Sequence, residues 1–177
     1  MKRASITAAL SAFFVVVLAS VALAAVSPGT YLPTIDPANA PSGTHLQTGS
    51  IFCTVAADLS VTCSSYELSG VGHTNADVSL SANYTAIIDC FNPGTNPNNP
   101  IESHVDTYSP VDSDALTSSK NGRLRVPSES VSFANAPVGC PNANWTPVVR
   151  EGSVQLLNFS YTLTFEGFTS PYIVISA

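Results

Sequence analysis

The chain has 177 residues and few charges, 6 basic and 12 acidic. Lys2 and Arg3 belong to an apparent export signal, so the mature chain keeps 4 basic against 12 acidic side chains, a net of −8 (4 − 12). Four cations cannot form the basic stripe that phosphate recognition needs, which excludes a nucleic-acid binder, and the scarcity of Lys, Glu, Arg and Gln argues against a cytosolic helical protein.

Residues 8–23 are apolar apart from Ser11 and Ser20, and Ala22-Leu23-Ala24 places small residues where a signal peptidase reads them. A helical signal peptide over 1–24 with cleavage after Ala24 is therefore expected. The apolar stretch is shorter than the roughly 20 residues of a spanning helix, and no basic stop-transfer residues follow it. The mature protein is expected to be secreted and to carry no membrane span. What remains is roughly 150 residues, enough for one domain with a real core.

Residues 25–49 hold four of the 13 prolines and show no periodicity, which predicts an extended N-terminal arm ahead of a β domain over 50–177. The first hairpin is predicted from 51–55 and 59–63, with its turn near Ala57-Asp58. The four cysteines of an exported chain imply two disulfides. The hairpin sets Cys53 opposite Cys63, leaving Cys90 to pair with Cys140. A four-thiolate zinc site lacks its C-x-x-C spacing, and no metal or cofactor is predicted.

The strongest pattern lies at 77–90. Val78, Leu80, Ala82, Tyr84, Ala86, Ile88 and Cys90 share one face, and the other is polar except for Ile87. Residues 92–100 are turn formers and predict a mobile loop. Strands follow at 101–109 and around 114–117. Asn121-Gly122 signals a turn into Leu124-Arg125-Val126, with an edge strand at 131–134. A long strand over 153–166 is expected to face Leu157, Phe159, Tyr161, Leu163 and Phe165 inward, and 172–175 closes the chain. Eight or nine strands without a helix predict an antiparallel β-sandwich, immunoglobulin-like in character, with a jelly roll or open barrel as the alternative.

The run Cys63-Ser64-Ser65-Tyr66-Glu67-Leu68, the turn Gly70-Val71-Gly72-His73-Thr74-Asn75-Ala76 and the segment Ser119-Lys120-Asn121-Gly122-Arg123 resemble a group of uncharacterised small secreted actinomycete proteins. Cys140-Pro141-Asn142-Ala143-Asn144-Trp145-Thr146-Pro147 and Arg150-Glu151-Gly152-Ser153 extend the resemblance over most of 52–175. It implies an exported bacterial protein and carries over no catalytic residue.

Chemistry is sparse. The three histidines, His45, His73 and His104, lie in separate segments, and only His104 has an acid, Asp106, placed to share its strand face. Glu67, Glu102, Glu129, Glu151 and Glu166 read as surface charge rather than a glycosidase pair. Asp112-Ser113-Asp114 matches the start of a calcium loop without the Gly and Glu further on, leaving only a weak surface calcium site to consider. Three glycosylation sequons begin at Asn83, Asn144 and Asn158.

Two features suggest a binding surface. Trp145, the single tryptophan, either packs over the Cys90–Cys140 disulfide or offers an exposed platform for a sugar or protein. Lys120, Arg123 and Arg125 hold three of the four mature cations, either protecting an edge strand or anchoring an acidic envelope polymer. The expected function is a non-enzymatic extracellular binding or structural module whose partner is a cell-envelope polymer, a polysaccharide or another protein. The alternatives are a hydrolase with a loop-assembled site and a protease inhibitor presenting loop 92–100.

Overall fold

The computed structural model describes residues 25–94 and 99–177. The expected signal peptide and the centre of loop 92–100, with its expected mobility and inhibitory role, lie outside the described residues. Fourteen strands are present among them: β1 (Gly29–Tyr31), β2 (Thr34–Ile35), β3 (His45–Gly49), β4 (Cys53–Val55), β5 (Val61–Cys63), β6 (Tyr66–Ser69), β7 (Ala76–Phe91), β8 (Glu102–Tyr108), β9 (Val111–Leu116), β10 (Arg123–Val126), β11 (Glu129–Val131), β12 (Thr146–Val149), β13 (Gln155–Phe165) and β14 (Ile173–Ser176). No described helix is long and apolar enough to cross a membrane.

The strict alternation at 77–90 becomes β7, whose 16 residues span about 50 Å. One edge of β7 pairs with β8 and then β9, and the other with β12 and then β13, all antiparallel. With β14 and β2 beyond β13 this makes a seven-stranded sheet. Two smaller antiparallel sheets, β1-β4-β5-β11 and β10-β6-β3, complete the molecule. None of the three closes on itself, which removes the barrel alternative.

The sheets are layered, as two sets of contacts show. The Tyr66 hydroxyl of β6 meets the Tyr161 hydroxyl of β13 at 3.0 Å. The Tyr84 hydroxyl of β7 donates to the carbonyls of Leu59 (2.9 Å) and Val131 (3.4 Å). Between the layers lie the fully buried Tyr84, Tyr161, Phe159, Phe165 and Leu80. Each large apolar side chain so buried contributes about 1.5–3 kcal/mol, and the two tyrosines satisfy their hydroxyls as burial demands.

Both disulfides join the expected partners. Cys53 and Cys63 face each other directly across β4 and β5, and Cys90 tethers Cys140 to β7 with Cα atoms 5.9 Å apart. The hairpin turn between β4 and β5 places Leu59 at φ 64°. The Asp58 carboxylate accepts from the Ser60 backbone N–H (3.0 Å) and hydroxyl (2.7 Å), and these bonds hold its pKa below the ordinary value.

Four expectations change. The described residues form fourteen strands rather than eight or nine, because short pairings of two to four residues leave no periodic signal. The arm is not free of strands, because β1, β2 and β3 pair with β4, β14 and β6, one in each sheet. In β13 a bulge between Leu156 and Asn158 shifts the parity, so Leu156 rather than Leu157 is buried. The edge strand expected at 131–134 lies earlier, at β11, and Phe133–Asn135 forms a 3-10 turn.

Candidate binding site

Alternation in β10 buries Leu124 and Val126 and turns Arg123 and Arg125 outward on the edge of the small sheet. On the neighbouring strand, Glu67 registers directly with Arg125 and Ser69 with Arg123. Glu67 accepts Arg123 Nη1 on Oε1 and Arg125 Nε on Oε2, both at 3.1 Å. Its side chain is 12% exposed, against 51% for Arg123 and 90% for Arg125. Ion pairs with such exposed arginines stabilise the fold by at most about 1 kcal/mol each.

A guanidinium carries five N–H donors in a planar fork. Glu67 takes one from each arginine, so both retain outward donors. With Thr117, Ser119 and Asn121 they line a cleft of ≈ 290 Å³. A turn in which the Gly122 N–H donates to Ser119 (2.9 Å) forms one wall, and the Val71 N–H fixes it by donating to Gly122 at 3.2 Å. Lys120 projects from the same turn and is exposed. Two arginines and Lys120 against one carboxylate leave this place positive on an acidic protein. The arrangement can hold an anionic group by bidentate and charge-assisted hydrogen bonds.

Trp145 is half-buried against the core, and its backbone N–H donates to the Asn142 carbonyl at 3.0 Å. It directly precedes Thr146, which registers with Phe91 at one end of β7, and Pro147 registers with Cys90. The basic cleft begins at Thr117, just past Leu116, which registers with Ala76 at the other end. The structure therefore separates Trp145 from the three cations by most of a strand about 50 Å long. They do not form one site.

His104 and Asp106 do share a face, with Nε2 3.5 Å from Oδ1, while His104 Nδ1 is buried without a partner. Asp112-Ser113-Asp114 is strand β9 rather than a calcium loop, and among the described residues no group of three or more His, Cys, Asp or Glu is placed to hold a metal ion. Two sequon asparagines are tied together, Asn83 Nδ2 donating to Asn158 Oδ1 at 2.7 Å.

Glu129 corrects the reading of every glutamate as surface charge. It is 1% exposed, the one buried charged residue among those described. Burial, then Asp112 and Asp114, push its pKa up to about 7. The signal for its burial was parity, since Glu129, Val131 and Phe133 alternate in phase and the other two are apolar.

No family model matches the chain, and neither a curated protein nor a solved structure shows significant similarity to it. The resemblance to small secreted actinomycete proteins thus rests on the quoted segments alone.

Proposed function

We propose that the protein is a secreted, non-enzymatic binding module that takes an acidic extracellular polymer, such as a cell-envelope polysaccharide, on the face formed by Lys120, Arg123 and Arg125. The observation that carries this reading is the concentration of cations around one polar cleft while the mature chain as a whole is acidic. Two disulfides are consistent with an extracellular location. The layered antiparallel sheets with alternating inner faces support an immunoglobulin-like sandwich, a scaffold on which edge strands and loops bind partners.

The test is retention on an immobilised acidic polysaccharide, with a neutral one as control, over a series of salt concentrations. Binding should fall steeply with salt, and the double change Arg123→Gln with Arg125→Gln should weaken it by about tenfold. Equal retention by the neutral polymer, or by the double variant, would sink the proposal. Turnover of esterase, protease or glycosidase substrates that disappears in His104→Ala would favour the hydrolase reading instead.

A further inference from the structure

Glu129 has no part in that face, and its surroundings are unusual. It registers with Cys63 of β5, whose sulfur is locked in a disulfide. Across the layer, Asp112 and Asp114 of β9 register with the buried Leu80 and Val78. Asp112 Oδ2 accepts the Ser130 backbone N–H at 2.8 Å, tying the seven-stranded sheet to the four-stranded one. From β13 and β6 come Tyr161 and Tyr66, which bond to each other, and from β7 comes Tyr84, which serves the Val131 carbonyl. Three of the mature cations are engaged elsewhere, Arg123 and Arg125 on Glu67 and Arg150 on Asp89, and Lys120 sits on the exposed turn. Glu129 Oε1 is buried with no hydrogen-bond partner.

An ionised carboxylate in that position would be desolvated, unpaired and close to two further acids. A protonated one donates its hydrogen to the neighbouring Asp112 carboxylate and removes one of the repelling charges. We propose that Glu129 and Asp112 form a proton-held clasp between the two sheets, closed in acid and released as the pH rises through neutrality. An open cleft of ≈ 300 Å³ that includes Asp112, Ser130 and Val131 in its wall borders the clasp, so release loosens that wall.

A group with a raised folded-state pKa stabilises fully below its unfolded value and loses that stabilisation as the pH passes its folded value. For Glu129 those limits are 4.5 and about 7. The folded-to-unfolded ratio should therefore fall by about 150-fold between pH 4.5 and pH 8.5 through this residue alone.

The experiment is urea unfolding followed by Trp145 fluorescence from pH 4.5 to 8.5, on the native chain and on Glu129→Gln. The amide stays neutral and still donates to Asp112, so the variant should lack this component of the pH dependence and exceed the native chain in stability at pH 8.5. A variant with the native pH dependence, or one less stable at every pH, would overturn the clasp. Should Glu129→Gln not fold, carbon NMR of the native chain reads the carboxyl titration directly, and a midpoint near 4.5 would overturn it as well. Stabilisation by millimolar calcium at pH 8 that needs Glu129 would also overturn it, because the carboxyls would then be metal ligands.

Discussion

Gly70→Ala is the sharpest test of how the N-terminal arm docks. Gly70 has φ +78°, and a Cβ there would lie 2.6 Å from the Gly43 carbonyl carbon, closer still to its oxygen, and 3.2 Å from the Thr44 nitrogen. The obstruction is backbone, at the point where the arm enters β3 and pairs with the end of β6. A left-handed backbone costs a residue with a Cβ about 1–2 kcal/mol, and overpacking that forces backbone to move adds about 1–3 kcal/mol. The sum is about 2–5 kcal/mol, a large part of the total stability of a domain this size. Gly43→Ala is the control, because Gly43 has φ +90° but open space around its Cβ position. It carries the conformational cost without the collision. Urea denaturation should find Gly70→Ala about 1–3 kcal/mol less stable than Gly43→Ala, with faster proteolysis of the arm. Equal losses in the two variants would show that the arm does not approach β6 as described.

Three other outcomes are expected. Non-reducing peptide mapping should recover Cys53 with Cys63 and Cys90 with Cys140, and replacing both Cys90 and Cys140 should cost about 4 kcal/mol for a loop of 50 residues. Leu156→Ala should lose about 2–5 kcal/mol in chemical denaturation while Leu157→Ala loses much less, and the reverse order would refute the bulge. Tyr84→Asp should cost several kcal/mol, since it buries an unpaired charge and strips the Leu59 and Val131 carbonyls of their donor; a loss under about 1 kcal/mol would place that face of β7 outside.

The parts of the fold legible in the sequence are those where long runs alternate. β7 has enough inward positions for its period to be unmistakable, and the face predicted for it is the face that is buried. β6 has only Tyr66 and Leu68 to mark its inner face, too few to establish a period. The arm strands expose nearly every side chain, so their pairing comes from backbone hydrogen bonds to distant partners and leaves no composition signal. Alternation alone puts Leu157 inside, because one inserted residue reverses an otherwise perfect pattern and a bulge has no signature of its own in this chain. At the candidate site, the outward direction of Arg123 and Arg125 was legible from Leu124 and Val126. Their shared partner Glu67 was not, because it lies 56 residues from Arg123 and meets it only through strand pairing. The acidic neighbours of Glu129 were hidden for the same reason, since they come from the facing sheet.

The basic cleft and the carboxyl pair around buried Glu129 respond to different variables, yet one strand connects them. β9 carries Asp112 and Asp114 beside Glu129 and ends at Leu116, after which Thr117 and Ser119 line the cleft. A guanidinium group stays charged across the whole physiological range, so protons do not act on the cleft through arginine. Salt acts on Arg123 and Arg125 directly, because Arg125 is almost fully exposed and screening at 0.15 M falls within about 8 Å. Glu129 is buried and largely insulated from salt, while Asp112 is half-buried, and protonation of Glu129 sets how firmly β9 is held against β11. An effect of pH on polymer binding at constant salt can enter through β9 or through titration of the polymer. Glu129→Gln separates the two: it removes the response that passes along β9 and leaves the polymer's own titration in place.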